Sequence, residues 1–395
     1  MLTGNGGESH GKVSPRLIFG NAAAFPLPLP RRPVKRGRAA MPLPDFLPGL
    51  ELMLRATGRR LRPPRPAPFT PILRRRQDTV LAGAAAGPHQ RGAWWQEARP
   101  GPLPTIVLGG FVPDATEAVW LLRDSLLRHG SLYCCNYPRR GFSTDLLLAE
   151  LSDLVEELQL VHRRPPVILA ISFGAGLLLE WLRRERAAAV SSAVRGLVLV
   201  SPVTCVEDLL PADEPRPGSL LGRALKPYVD AGFAIDAGLI ERSRAIFHKM
   251  FEAGAQNRAA LRGLLGPGEL AVLRAAVLQS IREIDFRGAC ERIRALRALA
   301  PPAAGPGGAP LAAAPTLILY AEKESAVLAA RAPSRAVLER APRAWFPRAE
   351  SRLVTHAGPG GPVQHASLIF HCADYRAPIA DFYARLKSSK VKQAA

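Results

Sequence analysis

Residues 167–176 read Val-Ile-Leu-Ala-Ile-Ser-Phe-Gly-Ala-Gly. An apolar, β-branched run stops at Ser172, small residues stand two before it (Ala170) and two after it (Gly174), and a helix-forming run from Leu177 to Leu182 follows at once. Strand, sharp turn, serine at the tip and helix is the layout of a nucleophile elbow, whose crowded turn leaves little room for neighbouring side chains. A serine held there attacks a carbonyl carbon, the chemistry of a hydrolase or an acyl transferase. The plain alternative is a serine capping the helix at 173–185. A serine hydroxyl is a poor nucleophile until a base takes its proton, and that base is usually a histidine oriented by a carboxylate.

The elements around this run follow from hydrophobic periodicity. Two weak strands, Thr79–Ala82 and Ala93–Trp95, come first. Regular alternation starts at residue 104, with a strand at 105–108 ending in Gly109-Gly110-Phe111. Helical spacing over 115–129 puts Ala118, Leu121, Leu122 and Leu126 on one face. A strand at 132–135, the loop Asn136–Ser143, an amphipathic helix at 144–162, the strand 167–171, the helix behind Ser172 and a strand at 197–200 complete the first half. Residues 206–298 hold helical stretches and no convincing strand. A Pro/Gly/Ala linker at 301–314, strands at 316–320 and 352–355, and a closing helix opening at Pro378 finish the chain. Alternating strands and helices predict a parallel sheet covered on both faces, with the block at 206–298 as a cap over the strand ends.

With these motifs in this order, the chain resembles the α/β-hydrolase superfamily over roughly residues 78–390, and looks closest to its capped esterases, lipases and peptidase-like members. The resemblance implies an α/β fold, a mostly parallel sheet with helices on both faces and a helical cap insertion, and a triad in the chain order Ser, acid, His. It puts the acid in the loop 321–327 after the next-to-last strand. Glu324 falls at the usual position, with Glu322 beside it, and Asp208 after the fourth strand is where some relatives draw theirs. Relatives more often carry Asp, so Glu324 predicts a histidine slightly further away. The base falls in the loop before the final helix, where His365 is the first candidate and His356 the second; His371, inside the following apolar turn, reads as structural. The oxyanion donors are the backbone N–H groups of Phe173 and of Phe111, in a turn where relatives carry His-Gly. The loop Asn136–Ser143 resembles the family's Asp-x-Arg-Gly-x-Gly-x-Ser turn and is not catalytic.

The activity this implies is hydrolysis of a carboxylic ester or thioester through an acyl-enzyme, with no cofactor. The Leu- and Ala-rich cap suits an apolar acyl part on a small-molecule substrate. An acyltransferase of the same fold and a non-catalytic binding member are the alternatives.

Composition bounds the rest. The 395 residues carry a net charge of +20, and residues 1–77 hold 15 Lys+Arg against 3 Asp+Glu, so more than half the excess lies in the first fifth of the chain. That region is Pro- and Arg-rich and reads as largely disordered, with Met41 as an alternative start and 78–395 as the folded domain. Its basic clusters lack a folded recognition motif, so no specific nucleic-acid partner is expected. Neither a metal-ligand spacing nor a nucleotide loop stands out. The five cysteines form no CxxC pair, which predicts a reducing, cytoplasmic setting, and no run of 18 apolar residues predicts a transmembrane helix. Trp94 and Trp95 read as packing residues.

Overall fold

The computed structural model describes residues 66–83, 89–185, 193–214, 216–230, 236–255, 265–301, 310–358 and 361–391, all within one unit spanning 47–395. Eight strands form one sheet: β1 (Ala67–Phe69), β2 (Ala93–Glu97), β3 (Thr105–Leu108), β4 (Leu132–Asn136), β5 (Val167–Ile171), β6 (Gly196–Val200), β7 (Thr316–Ala321) and β8 (Ala349–Val354). Their order is β1-β2-β4-β3-β5-β6-β7-β8; β2 runs antiparallel to both neighbours and every pair from β4 onward is parallel.

The apolar runs explain which strands sit in the middle. β3, β5, β6 and β7 are buried along their whole length, as parallel strands covered on both faces must be. Alternate residues divide between two cores. Ile106, Leu108, Ile168 and Ala170 face a cluster with Leu151, Leu154, Leu177 and Leu178. Val107, Val167, Leu169 and Ile171 face another with Leu126, Tyr375, Ile379 and Phe382.

The helices are α1 (Arg75–Gly83), α2 (Ala115–Ala118), α3 (Arg123–Leu127), α4 (Thr144–Glu156), α5 (Phe173–Arg184), α6 (Leu220–Asp230), α7 (Ala237–Ala255), α8 (Pro267–Glu283), α9 (Phe286–Ala298) and α10 (Cys372–Val391). Helices α6–α9 are the insertion between β6 and β7. Among the described residues, 206–298 contains no strand, and no helix is long and apolar enough to cross a membrane.

Four local expectations need correction. Residues 79–82 belong to helix α1, and β1 lies upstream of it, so the folded part begins before residue 78; residues 1–65 lie outside the described ones. The reason is tertiary. Carboxylates on α4 and the turn behind it take the backbone N–H groups of this segment, Asp153 those of Arg76 and Gln77 and Glu157 those of Ile72 and Leu73. The helical pattern at 115–129 is two short helices. The helix from 144 ends in a π turn over Glu157–Val161. Helix α10 starts six residues before Pro378 and contains it, because Cys372, Tyr375 and Ile379 all pack into the core and packing overrides propensity. Of the linker, 302–309 lie outside the described residues.

Candidate active site

β5 lies between β3 and β6, and its chain ends at Ser172 with φ of 51° and ψ of −117°, a conformation that costs a non-glycine residue free energy. Neighbours hold it there. The Ser172 N–H donates to the Val200 carbonyl at 2.9 Å, and the Ser172 carbonyl accepts the N–H groups of Ala175 at 2.9 Å and Val203 at 3.1 Å. The hydroxyl makes no capping bond to α5. Backbone crowding accounts for the small residue behind it: a Cβ on Gly174 would lie 2.4 Å from the Gly109 carbonyl oxygen and 2.7 Å from that of Leu108.

His365 Nε2 lies 2.9 Å from Ser172 Oγ, and Nδ1 of the same ring is hydrogen-bonded to Glu324 Oε2. The other Glu324 oxygen accepts the Ala321 N–H at 2.7 Å. Burial alone would raise the Glu324 carboxyl, but its pairing with the His365 ring, the Ala321 N–H and the Ser201 hydroxyl outweigh it and hold the carboxyl below its usual range. A carboxylate only accepts, so Nδ1–H donates to Glu324 and the Nε2 lone pair faces the serine hydroxyl. Three loops meet here, at the carboxyl ends of the strands where ligand sites of open α/β sheets lie. Lys323 pairs with Gln364 in an isolated parallel bridge, and its N–H donates to Val363 at 2.9 Å, which sets the acid and histidine loops against each other.

The other candidates fall elsewhere. Glu322 is exposed. Asp208 is buried, and its carboxylate accepts the Thr204 N–H at 2.7 Å, the Thr204 hydroxyl at 3.1 Å and the Ser334 N–H at 2.8 Å, so it ties two loops together. His356 bonds Asp374 through Nδ1 at 3.0 Å, and His371 bonds the Ser367 hydroxyl at 2.9 Å. Among the described residues, His365 is the histidine bonded to Ser172.

Phe173 opens α5, so its N–H is among the four that a helix leaves without an internal partner. The Gly109–Phe111 turn lies against the elbow: a Cβ on Gly110 would sit 3.5 Å from Ser172 Cβ, and the rings of Phe111 and Phe173 are 5.7 Å apart. Phe111 also stacks on Phe247 of α7 at 6.3 Å and lines a cavity of about 20 Å³ with Leu225, Ile240, Ile281 and Ile293 of α6–α9.

Two contributors escaped the sequence reading. Ser201 ends β6 as Ser172 ends β5, with φ of 45°; its hydroxyl accepts the Ala366 N–H at 3.0 Å and bonds Glu324, fixing Glu324 and the residue after His365. An apolar strand closing on a serine was the available signal. The second is Arg292 on α9, whose guanidinium reaches the Phe111 carbonyl at 2.7 Å; nothing in its helical context marks it.

No protein-family model matches the sequence, and no curated protein does. Solved structures do match. A membrane phospholipase A described as a bacterial virulence factor aligns with a TM-score of 0.52 at 14% identity, over 87% of this chain and 93% of that one. A variant of an epoxide hydrolase from Bacillus megaterium gives 0.51 at 11%, over 74% and 96%. An esterase from Exiguobacterium antarcticum gives 0.49 at 16%, over 74% and 96%. Together with the strand order and the single antiparallel reversal around β2, the phospholipase and epoxide hydrolase likenesses place the chain in the α/β-hydrolase fold.

Proposed function

We propose that the protein is a serine hydrolase that cleaves a carboxylic ester or thioester through an acyl-enzyme. One observation carries this reading: the unbroken hydrogen-bonded series from Ser172 Oγ through His365 to Glu324, built on a strained turn at the end of a buried strand. Ser172 Oγ attacks the substrate carbonyl while His365 Nε2 takes its proton. Glu324 stays ionised, keeps the ring in the required tautomer and stabilises the imidazolium. The N–H groups of Phe173 and Phe111 face the developing oxyanion, where one such donor is worth about a hundred- to a thousandfold in turnover. His365 then gives its proton to the leaving alcohol or thiol, and water repeats the sequence on the acyl-enzyme.

The apolar cavity beside Phe111 supports a small substrate with an apolar acyl part. Its volume is about 20 Å³, near that of one water. None of these steps calls for a cofactor. Cys134, Cys135, Cys205 and Cys290 are buried free thiols, which suits a reducing compartment such as the cytoplasm.

The test is labelling with a fluorophosphonate probe. The native chain should label and Ser172→Ala should not. A folded native chain that stays unlabelled and hydrolyses no p-nitrophenyl ester refutes the proposal.

A further inference from the structure

Arg292 is 1% exposed, yet it takes no part in the relay. Its Nη1 donates to the Phe111 carbonyl at 2.7 Å, and its Nη2 to the carbonyls of Tyr137 and Pro138 at 3.3 Å each. The guanidinium carbon stands 5.6 Å from the centre of the Tyr137 ring, and Nε has no hydrogen-bond partner among the described residues. Burial pushes the group down to about 10, with Asp114 opposing, so it is charged at neutral pH. A buried cation held by carbonyls alone is a poor way to stabilise a fold, since an apolar residue of similar length fills the same space without the desolvation cost.

The placement of its partners suggests another use. Tyr137, one of the residues it grips, donates its hydroxyl to the Gly109 carbonyl at 2.8 Å. The Gly109–Phe111 turn is therefore held at its first residue by Tyr137 and at its last by Arg292. The arm itself has a fixed origin. A Cβ on Gly288 would lie 1.8 Å from the Arg139 carbonyl, so α9 approaches the loop 136–143 at backbone contact. Arg139 joins Asp114 to Glu283, Arg140 pairs with Asp285, and Glu291 accepts the Phe142 N–H at 3.0 Å.

We infer that Arg292 is a positioning residue for the oxyanion hole: gripping the Phe111 carbonyl from the inserted helices while Tyr137 holds the Gly109 carbonyl, it clamps the turn on the far side of the Phe111 N–H and makes the aim of that donor depend on α9 being docked. This rests on the serine-hydrolase reading.

The experiment compares the native chain with Arg292→Met by four measurements: the rate of fluorophosphonate labelling, kcat and KM on a p-nitrophenyl ester, the inhibition constant of an alkyl trifluoromethyl ketone, and Tm. The hemiketal of the ketone carries an oxyanion and so reports on the hole. A displaced donor should lower kcat and ketone affinity in parallel by about ten- to a hundredfold, with KM within about threefold. A loss confined to KM, or a fall in kcat with ketone affinity unchanged, overturns the role. If Arg292→Met does not fold, Tyr137→Phe removes only the hydroxyl on the other end of the turn. It should weaken the ketone about tenfold, and unchanged binding there overturns the role as well. A native chain inert to probe and ester refutes the serine-hydrolase reading and this inference with it; a reactive native chain with an equally reactive Arg292→Met overturns the inference alone.

Discussion

Glu324→Gln keeps the shape of the side chain and removes its charge. In the proposed mechanism, attack by Ser172 turns His365 into an imidazolium; its side chain is 7% exposed and its carboxylate partner 1% exposed. Removing one member of a buried pair leaves the other uncompensated at about 3–5 kcal/mol. The uncompensated imidazolium exists in the transition state and not in the resting enzyme, so the cost falls on kcat/KM, as about 10²- to 10⁴-fold. The amide adds a second effect. The Ala321 N–H, bonded at 2.7 Å, demands an acceptor, so the amide oxygen turns there and its NH₂ faces His365 Nδ1. That favours the tautomer with the proton on Nε2, which cannot take a proton from Ser172. Both effects point to the upper part of the range. The assay is kcat/KM on p-nitrophenyl butyrate between pH 6 and pH 9, with Tm as the folding control and Asp208→Asn alongside. A Glu324→Gln chain within about tenfold of native refutes the reasoning. A larger loss in a folded Asp208→Asn chain would move the acid to Asp208.

His365→Ala should lower kcat/KM by at least about a thousandfold and should not add to Ser172→Ala, because the triad works as a unit. His356→Ala should stay within about threefold of native, since its ring is engaged with Asp374; the same ester assay decides both. Glu150, 2% exposed and accepting the Gly92 N–H, is raised by burial from 4.5 to about 7. The folded chain thus binds that proton more tightly than the unfolded one, so stability falls as pH rises from 4.5 to about 7 and stays lower above it, by up to about 3 kcal/mol. Glu150→Gln should therefore gain stability over native at pH 8 and little at pH 5 in urea unfolding; an equal change at both pH values would exclude this cause. Gly174→Ala should lose about 1–3 kcal/mol or more, read by the same unfolding assay, because its Cβ meets the Gly109 and Leu108 carbonyls.

Ser172 was legible because its cues are local: a strand, a turn and a helix within ten residues. Its partners were legible only as short sets of neighbours. What separates Glu324 from Glu322 is which side of the turn after β7 is buried. What separates His365 from His356 is that Asp374, on α10, holds the second ring. Arg292 lies 181 residues from the carbonyl it serves, and no spacing rule reaches that far. Helix α1 was misread for the same reason: the N–H groups of its first turn are taken by one carboxylate on α4, Asp153, 76 and 77 residues away.

Glutamate at 324, where the resemblance leads one to expect aspartate, has a physical use in this site. Its longer arm lets one oxygen anchor on the Ala321 N–H at the end of β7 while the other reaches His365. Ser201 then bonds both the carboxylate and the backbone just past the histidine. The ring is held by Glu324, rooted in β7, and the backbone beside it by Ser201, rooted in β6; the ring faces a serine rooted in β5. All three anchors therefore stand on fully buried parallel strands. The relay inherits the rigidity of the sheet, while the Gly109–Phe111 turn after β3 takes part of its support, at Phe111, from α9. A motion of the inserted helices would accordingly leave Ser172, His365 and Glu324 in place and release the carbonyl of Phe111, a residue that touches both the serine turn and the cavity.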